Sequence, residues 1–302
     1  MIEVYDKERK EKLEQLSAWT EEQFSFLDKA EDCKRAFVEG CAGSGKTLMA
    51  IKNAKDLAHE GQRVLILCYN LMLMQKVIRP KIQAYDIDCF AYQNFCESIL
   101  NEFSTYPSLS SDATHQDANI FYEKTIPEAM LECIEEIGDR YDTIIIDEAQ
   151  DFHENYWELI EELEPKLSHL YVFYDREQRY NRQKFQDLID KSESFERHKN
   201  CRNSVEIAQE VMAHSQHEII MSDHLPSNGK VERFFYKDYK EKLNLLRKRI
   251  HHLANDLGVP LDSIVIVGAN VWRHVFEDKK VKLGNYSISD GENQDKNTVS
   301  YF

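Results

Sequence analysis

The sequence predicts an α/β protein built on a mainly parallel sheet. Three observations point there. Short apolar runs alternate with segments of helical period from about residue 35 to 175, the order that builds β-α-β units. Gly40–Thr47 falls between a strand and a helix and fits a glycine-rich phosphate loop. A later apolar run, IIID, ends on the adjacent acids Asp147 and Glu148, and open α/β sheets place ligands at the carboxyl ends of their strands.

The elements follow in order. Residues 1–18 read as a charged helical leader with few apolar positions. LSAWTEEQFSFLDKAEDC (16–33) reads as a turn and a helix, with Thr20 as N-cap and Glu21 and Glu22 in the first turn, where the helix dipole favours acids. RAFVEG (35–40) is a short apolar strand ending in glycine. KTLMAIKNAKDLAHEG (46–61) repeats apolar residues at helical spacing and stops at Gly61, a C-cap. RVLILCYN (63–70) is apolar nearly throughout, as buried parallel strands are. DCFAYQNFCESIL (88–100) gives a short strand and then a helix, and the polar STYPSLSSDATHQDAN (104–119) reads as a loop or a small insertion. PEAMLECIEEIG (127–138) is an amphipathic helix, YDTIIIDEA (141–149) a strand and HLYVFYD (169–175) another strand. A new unit begins near residue 200, with helices in VEIAQEVMAHS (205–215) and KEKLNLLRKRIHHLANDLG (240–258) and one strand, SIVIVGAN (263–270).

Bulk properties narrow the class. Of 302 residues, 42% are hydrophobic and 30% charged, as in soluble globular proteins. No apolar run approaches the roughly 18 residues that span a bilayer, and MIEVYDKERKEKLEQL lacks the apolar centre of a signal peptide. The expected location is the cytoplasm. The seven cysteines form no C-x-x-C pair, which argues against a zinc site or a disulfide framework. The net charge of −16 argues against a generic nucleic-acid coat, since phosphate binding needs cations, and leaves room for a local basic groove. It leaves an acidic surface that a basic partner could use.

Gly40-Cys41-Ala42-Gly43-Ser44-Gly45-Lys46-Thr47 matches G-x-x-x-x-G-K-[ST] in full. Gly40, Gly43 and Gly45 let backbone N–H groups wrap an anion, with Ser44 in the same cradle. Lys46 reaches the β- and γ-phosphates, and Thr47 supplies a magnesium ligand. Asp147, at the end of IIID, is the second candidate magnesium ligand. Glu148 is the candidate base that orients and deprotonates an attacking water. ATP and Mg2+ are the expected cofactors.

With both elements in view, the sequence resembles superfamily 1 DNA helicases of the UvrD/Rep type, motif by motif along nearly the whole chain. WTEEQ (19–23) resembles the family's glutamine motif, which implies that Gln23 reads the adenine. AYQNFC (91–96) resembles T-F-H-S-F, with Ala91, Tyr92 and Gln93 replacing the first three residues. FYDREQ (173–178) resembles G-D-x-x-Q, with Tyr174 for the glycine and Gln178 as the γ-phosphate sensor. KNCRNSVEIA (199–208) resembles N-Y-R-S-x-x-x-I, which implies that Arg202 reaches the γ-phosphate from a second domain. Cys201 stands where the family has a tyrosine that stacks on the adenine.

The resemblance implies a P-loop NTPase fold of two RecA-like domains. It would comprise the leader (1–18), a first RecA-like domain (19–199) with a small insertion near 104–128, and a partial second RecA-like domain (200–302). It implies an ATP-dependent helicase or translocase subunit, whose cleft motion moves single-stranded DNA. Tyr69, Asn70, Tyr92 and Tyr180 are the nucleic-acid candidates. The tyrosines would stack on bases, although core packing suits each ring equally. KVIRPK (76–81) reads equally as a phosphate contact or a solvated turn. NTVSYF (297–302) reads as the approach to the family's last motifs, so the chain is expected to bind ATP–Mg, to turn it over weakly alone and to be completed by a partner. The alternative is a non-motor module in which ATP gates a partner such as a nuclease. RNA in place of DNA stays open. A kinase or simple hydrolase with the same loop would not explain the motif order.

Overall fold

The computed structural model describes residues 29, 33–110, 112–175, 177–178, 183–223, 225–227, 229–268, 280–290 and 298–301. The expected leader lies outside them, as do the turn and helix expected at 16–33 apart from Lys29 and Cys33. Contacts divide the chain into two units, Met1–Val231 and Glu232–Phe302, so that segment 200–231 belongs by contact with the first.

In the first unit, β1 (Arg35–Gly40), β2 (Val64–Cys68), β3 (Ile87–Ala91), β4 (Thr143–Asp147), β5 (His169–Tyr174) and β6 (Glu193–Arg197) form one sheet in the order β3-β2-β4-β5-β1-β6. Every pairing in it is parallel. The chemistry of the strands explains their central position. Along β4, Ile144 and Ile146 point into one apolar cluster and Ile145 into the other, and all three are fully buried. Alternate side chains thus feed cores on both faces, which only a strand apolar at every position can do. The helix Lys46–His59 covers one face through Met49, Ala50, Ala54 and Leu57. The helices Tyr92–Glu102 and Tyr156–Leu163 cover the other, through Phe95, Ile99, Trp157 and Ile160.

Several stretches differ from the sequence expectation. KVIRPK lies in a helical run through Leu71–Leu73, Met74–Ile78 and Arg79–Ile82, not in a turn. Met74, Ile78 and Ile82 recur every fourth residue and are buried. The polar stretch 104–119 turns helical at His115, where Thr114 and Asp117 form a reciprocal capping box. The expected helix 127–138 breaks after Leu131 and resumes at Ile134. The edge strand β6 was not predicted, because its alternation is weak and its burial partial.

β7 (Lys199–Asn200) and β8 (Ile220–Met221) pair in parallel, and the helix Val205–His214 runs between them, capped by Ser204 at the Ile207 amide. In the second unit, β9 (Val265–Ile266), β10 (Lys280–Leu283), β11 (Tyr286–Asp290) and β12 (Thr298–Tyr301) form a sheet in the order β10-β11-β12-β9. β10 and β11 make an antiparallel hairpin, and the other two pairings are parallel. Among the described residues SIVIVGAN therefore contributes a two-residue strand at a sheet edge, with Val265 and Val267 exposed. The helix Tyr239–His251 packs Ile250 into a core with Leu283, Ile288 and Val299. Among the described residues no helix is long and apolar enough to cross a membrane.

Candidate phosphate site

The loop after β1 is shaped by its glycines. Gly43 has φ +78°, and a Cβ there would meet Asn200 Oδ1 at 2.5 Å. Gly45 caps the next helix in the left-handed conformation, at φ 89°, which other residues adopt at a cost. That helix has no side-chain cap and no acid in its first turn. Its first N–H groups and dipole are left for an outside anion.

Lys46 begins the helix and is 6% exposed. Its Nζ donates to Gly40 O (2.8 Å), to Cys41 O (3.2 Å) and to Asp175 Oδ2 (3.4 Å). The Lys46–Asp175 pair is buried on both sides, so each charge depends on the other. The sheet order explains the meeting of residues 129 positions apart. β5 lies between β1 and β4, and Asp175 follows β5 directly.

Asp147 ends β4 with no exposed surface. Neither carboxylate oxygen meets a donor at full hydrogen-bond geometry. Burial, and then the Glu148 charge, push its pKa up to about 7, while the Thr47 hydroxyl and Lys46 pull it back. A buried carboxylate with two unused oxygens beside a threonine hydroxyl suits a divalent cation, because an ion supplies the charge that burial removes. Thr47 and Asp147 thus fit magnesium. Glu148 stands in the left-handed region, at φ 52° and ψ 46°, an uncommon conformation for a long side chain. The backbone then turns into a short 3-10 segment, Ala149–Asp151.

Gln150, 2% exposed, ties the site together. Its Nε2 donates to Glu148 Oε2 (2.5 Å) and to Gln178 Oε1 (3.5 Å). Its Oε1 accepts from the Asp175 amide (2.9 Å). Gln178 Nε2 donates to Asp175 Oδ2 (3.4 Å). A continuous chain therefore runs from Glu148 through Gln150 and Gln178 to Asp175 and Lys46. Gln150 and Asp175 were not singled out from the sequence, although Gln150 directly follows YDTIIIDEA and Asp175 stands inside FYDREQ.

The segment after β7 reaches the loop. The Cys201 amide donates to Gly43 O (3.0 Å). Asn200, fully buried, accepts from the Arg202 amide (3.4 Å) and the Asn203 amide (3.2 Å) through Oδ1, and its Nδ2 is buried without a partner. The Arg202 side chain is exposed. Cys41 is also drawn in, and burial pushes its thiol up to about 11.

The remaining candidates scatter. Gln23 and Tyr180 lie outside the described residues. Tyr69 is 41% exposed just past β2. Asn70 Oδ1 accepts from the Leu73 amide (3.0 Å) as a helix cap. Tyr92 requires a correction as a base-stacking candidate. Its ring is 1% exposed and stacks on Tyr156 at 4.2 Å, so both ring faces serve the core. Tyr174 is buried edge-on to Phe185, and its hydroxyl donates to Glu39 Oε2 (3.2 Å). In KVIRPK, Arg79 donates to Cys89 O (3.1 Å).

Residues 5–173, more than half of the chain, match the family described as ResIII: Type III restriction enzyme, res subunit. No curated protein matches the sequence. Among solved structures, a DNA replication initiation factor is similar at 11% identity and a TM-score of 0.36, over 60% of this chain and 47% of that one. The Pif1 helicase from Candida albicans is similar at 12% identity and 0.40, over 59% and 39%. The UvsW helicase from Bacteriophage T4 is similar at 13% and 0.37, over 62% and 67%. The chain spans less than half the length of the first two, and at these TM-scores the likenesses carry no argument.

Proposed function

The chain belongs to the ResIII family, type III restriction enzyme, res subunit, with a helicase-like P-loop ATPase domain, and on that premise we propose that it is an ATP-driven motor acting on single-stranded DNA. The observation that carries the reading is the continuous hydrogen-bonded chain from Glu148 to Lys46. Such a chain links the two ends of a phosphoryl-transfer site, the attacking side and the anion-holding side. The motif order WTEEQ, FYDREQ and NCRNS supports the superfamily 1 form of this motor.

In this reading the uncapped helix N-terminus and the amides of Gly43, Ser44 and Gly45 hold the phosphates. Lys46 exchanges part of its contact with Asp175 for the β- and γ-oxygens. Thr47 and Asp147 would hold magnesium, which when bound neutralises charge on the transferring phosphoryl group. Glu148, aimed by Gln150, orients the attacking water and takes its proton. Gln178, bonded to both Gln150 and Asp175, responds to the γ-phosphate and relays its presence. Arg202, carried beside Gly43 by the Asn200 turn, adds positive charge against the transferring group. Gln23 is assigned to the adenine. Tyr69 and Asn70 are assigned to the strand path.

The test is ATP turnover by the chain, with and without single-stranded DNA, beside Lys46→Ala. The expected result is turnover stimulated by the strand and reduced at least a hundredfold or so in the variant. Turnover indifferent to DNA would reject the motor.

A further inference from the structure

The second unit reverses the charge balance of the protein. Residues 232–252 hold seven lysines and arginines against three carboxylates, in a chain of net charge −16. Most of the cations lie on the helix Tyr239–His251, whose Asp238 cap accepts from the Glu241 amide at 2.8 Å. Ile250 anchors its inner face, which leaves Lys240, Arg247 and Lys248 exposed.

Aromatic rings are interleaved with these charges. The segment before the helix folds back along it. Glu232 pairs with Arg249, the Arg249 guanidinium lies 5.0 Å from the Phe234 ring, and Lys242 Nζ lies 5.9 Å from the Tyr236 ring. Phe234, Phe235, Tyr236 and Tyr239 are 47%, 90%, 53% and 52% exposed. Phe235 is almost wholly solvated, and the other three rings each keep about half their surface in water.

At the C-terminal end of the same helix is a cavity of about 290 Å³ lined by Arg247, Lys248, His251, Gly284, Asn285 and Tyr286. No carboxylate lines it among the described residues. His251 Nδ1 and the Tyr286 hydroxyl are in hydrogen-bond contact at 2.8 Å, which sets both polar groups at its wall. Arg249, which carries the Phe234 ring, lies within two residues of Arg247, Lys248 and His251, so that rings and cavity meet on the last turn of the helix.

We propose that this helix, with the segment folded along it, is a single-strand platform. Arg247, Lys248 and His251 hold a backbone phosphate in the cavity, and Phe235, Tyr236 and Tyr239 stack on neighbouring bases. Cations that track a backbone, combined with exposed rings that accept any base, are the chemistry of sequence-tolerant single-strand binding. A duplex hides its base faces and offers these rings nothing. The inference rests on the reading that the chain acts on nucleic acid, and it adds where in the second unit the strand is held.

The experiment is fluorescence anisotropy of a labelled fifteen-nucleotide oligo-dT with the full chain, over a range of salt. Wild type is compared with Phe235→Ala and Lys248→Glu, both at exposed positions, with thermal unfolding confirming their fold. Phe235→Ala is expected to weaken binding about tenfold. Lys248→Glu is expected to weaken it and to lower the log–log salt slope by about 0.7. Undiminished binding by both variants would overturn this inference and leave the motor reading standing. Failure of wild type to bind any single strand at low salt would overturn both. Competition by poly-glutamate as effective as by unlabelled oligo-dT, with Phe235→Ala neutral, would mean an acidic polypeptide surface and would overturn it too.

Discussion

The carboxyl edge of the six-stranded sheet and the Tyr239–His251 helix treat charge in opposite ways. At the sheet edge Lys46, Asp147 and Asp175 are all buried, and Gln150 with them. On the helix Arg247 and Lys248 are exposed, and Arg249 is only partly covered beside Phe234. A buried charge in a low dielectric is strongly held and strongly felt, so its position must be specified by partners. An exposed charge is screened and can move, so it suits a long polyanion whose phosphates need only be near. The first region suits one reacting group, as the proposed function requires, and the second suits the repeating one of the proposed platform.

Four changes would sharpen or break that contrast. The largest effect is expected from Glu148→Gln, which keeps the shape and the Gln150 contact but removes the base. Turnover should fall by about 10²–10⁴ while ATP still binds, as single-turnover kinetics and equilibrium binding would separate. Next is Asp175→Ala, which strands the Lys46 ammonium beside two carbonyls. Chemical denaturation should report a loss of about 3–5 kcal/mol; a loss below about 1 would mean that the pair is not held as a buried one.

Asp147→Asn has the opposite sign. The folded carboxyl titrates near 7 instead of near its ordinary value of 3.8. The folded state therefore binds the proton more tightly, and the metal-free protein loses stability as pH rises from about 4 to 7. Removing the charge should raise the metal-free melting temperature at pH 8, by about 1–3 kcal/mol in stability, and hardly at all at pH 4. A gain equal at both pH values would show that the buried charge is not its source. Smallest is Arg249→Ala. Its pair with Glu232 is partly exposed, and its loss should cost under about 1 kcal/mol. If it cost as much as Asp175→Ala, the contrast between the two regions would fail.

Much of the candidate site is legible in the chain itself. The loop Gly40–Thr47 and the strand ending at Asp147 each lie within eight consecutive residues, where spacing alone dictates geometry. The two-sided burial of β2 and β4 follows from runs apolar at every position. The helical run 71–82 was harder to read, because its buried stripe is only Met74, Ile78 and Ile82 among exposed basic neighbours. Tyr92 was ambiguous for a physical reason. A tyrosine at a strand end serves equally to stack on a base or to fill a core, and only the neighbouring Tyr156 and Phe152 rings decide it.

The sequence by itself determined the phosphate loop, the acidic strand and the alternation that makes an α/β sheet, since these depend on neighbours in the chain. The tertiary structure alone decided that β5 lies between β1 and β4. That order brings Asp175 to Lys46, lets Gln150 join Glu148 to Gln178, and sets Asn200 against Gly43. It also decided that Phe235 is left in water while Tyr92 is not. The reason is common to all of them: local spacing fixes what a segment can present, but strand order and packing decide which distant segment meets it.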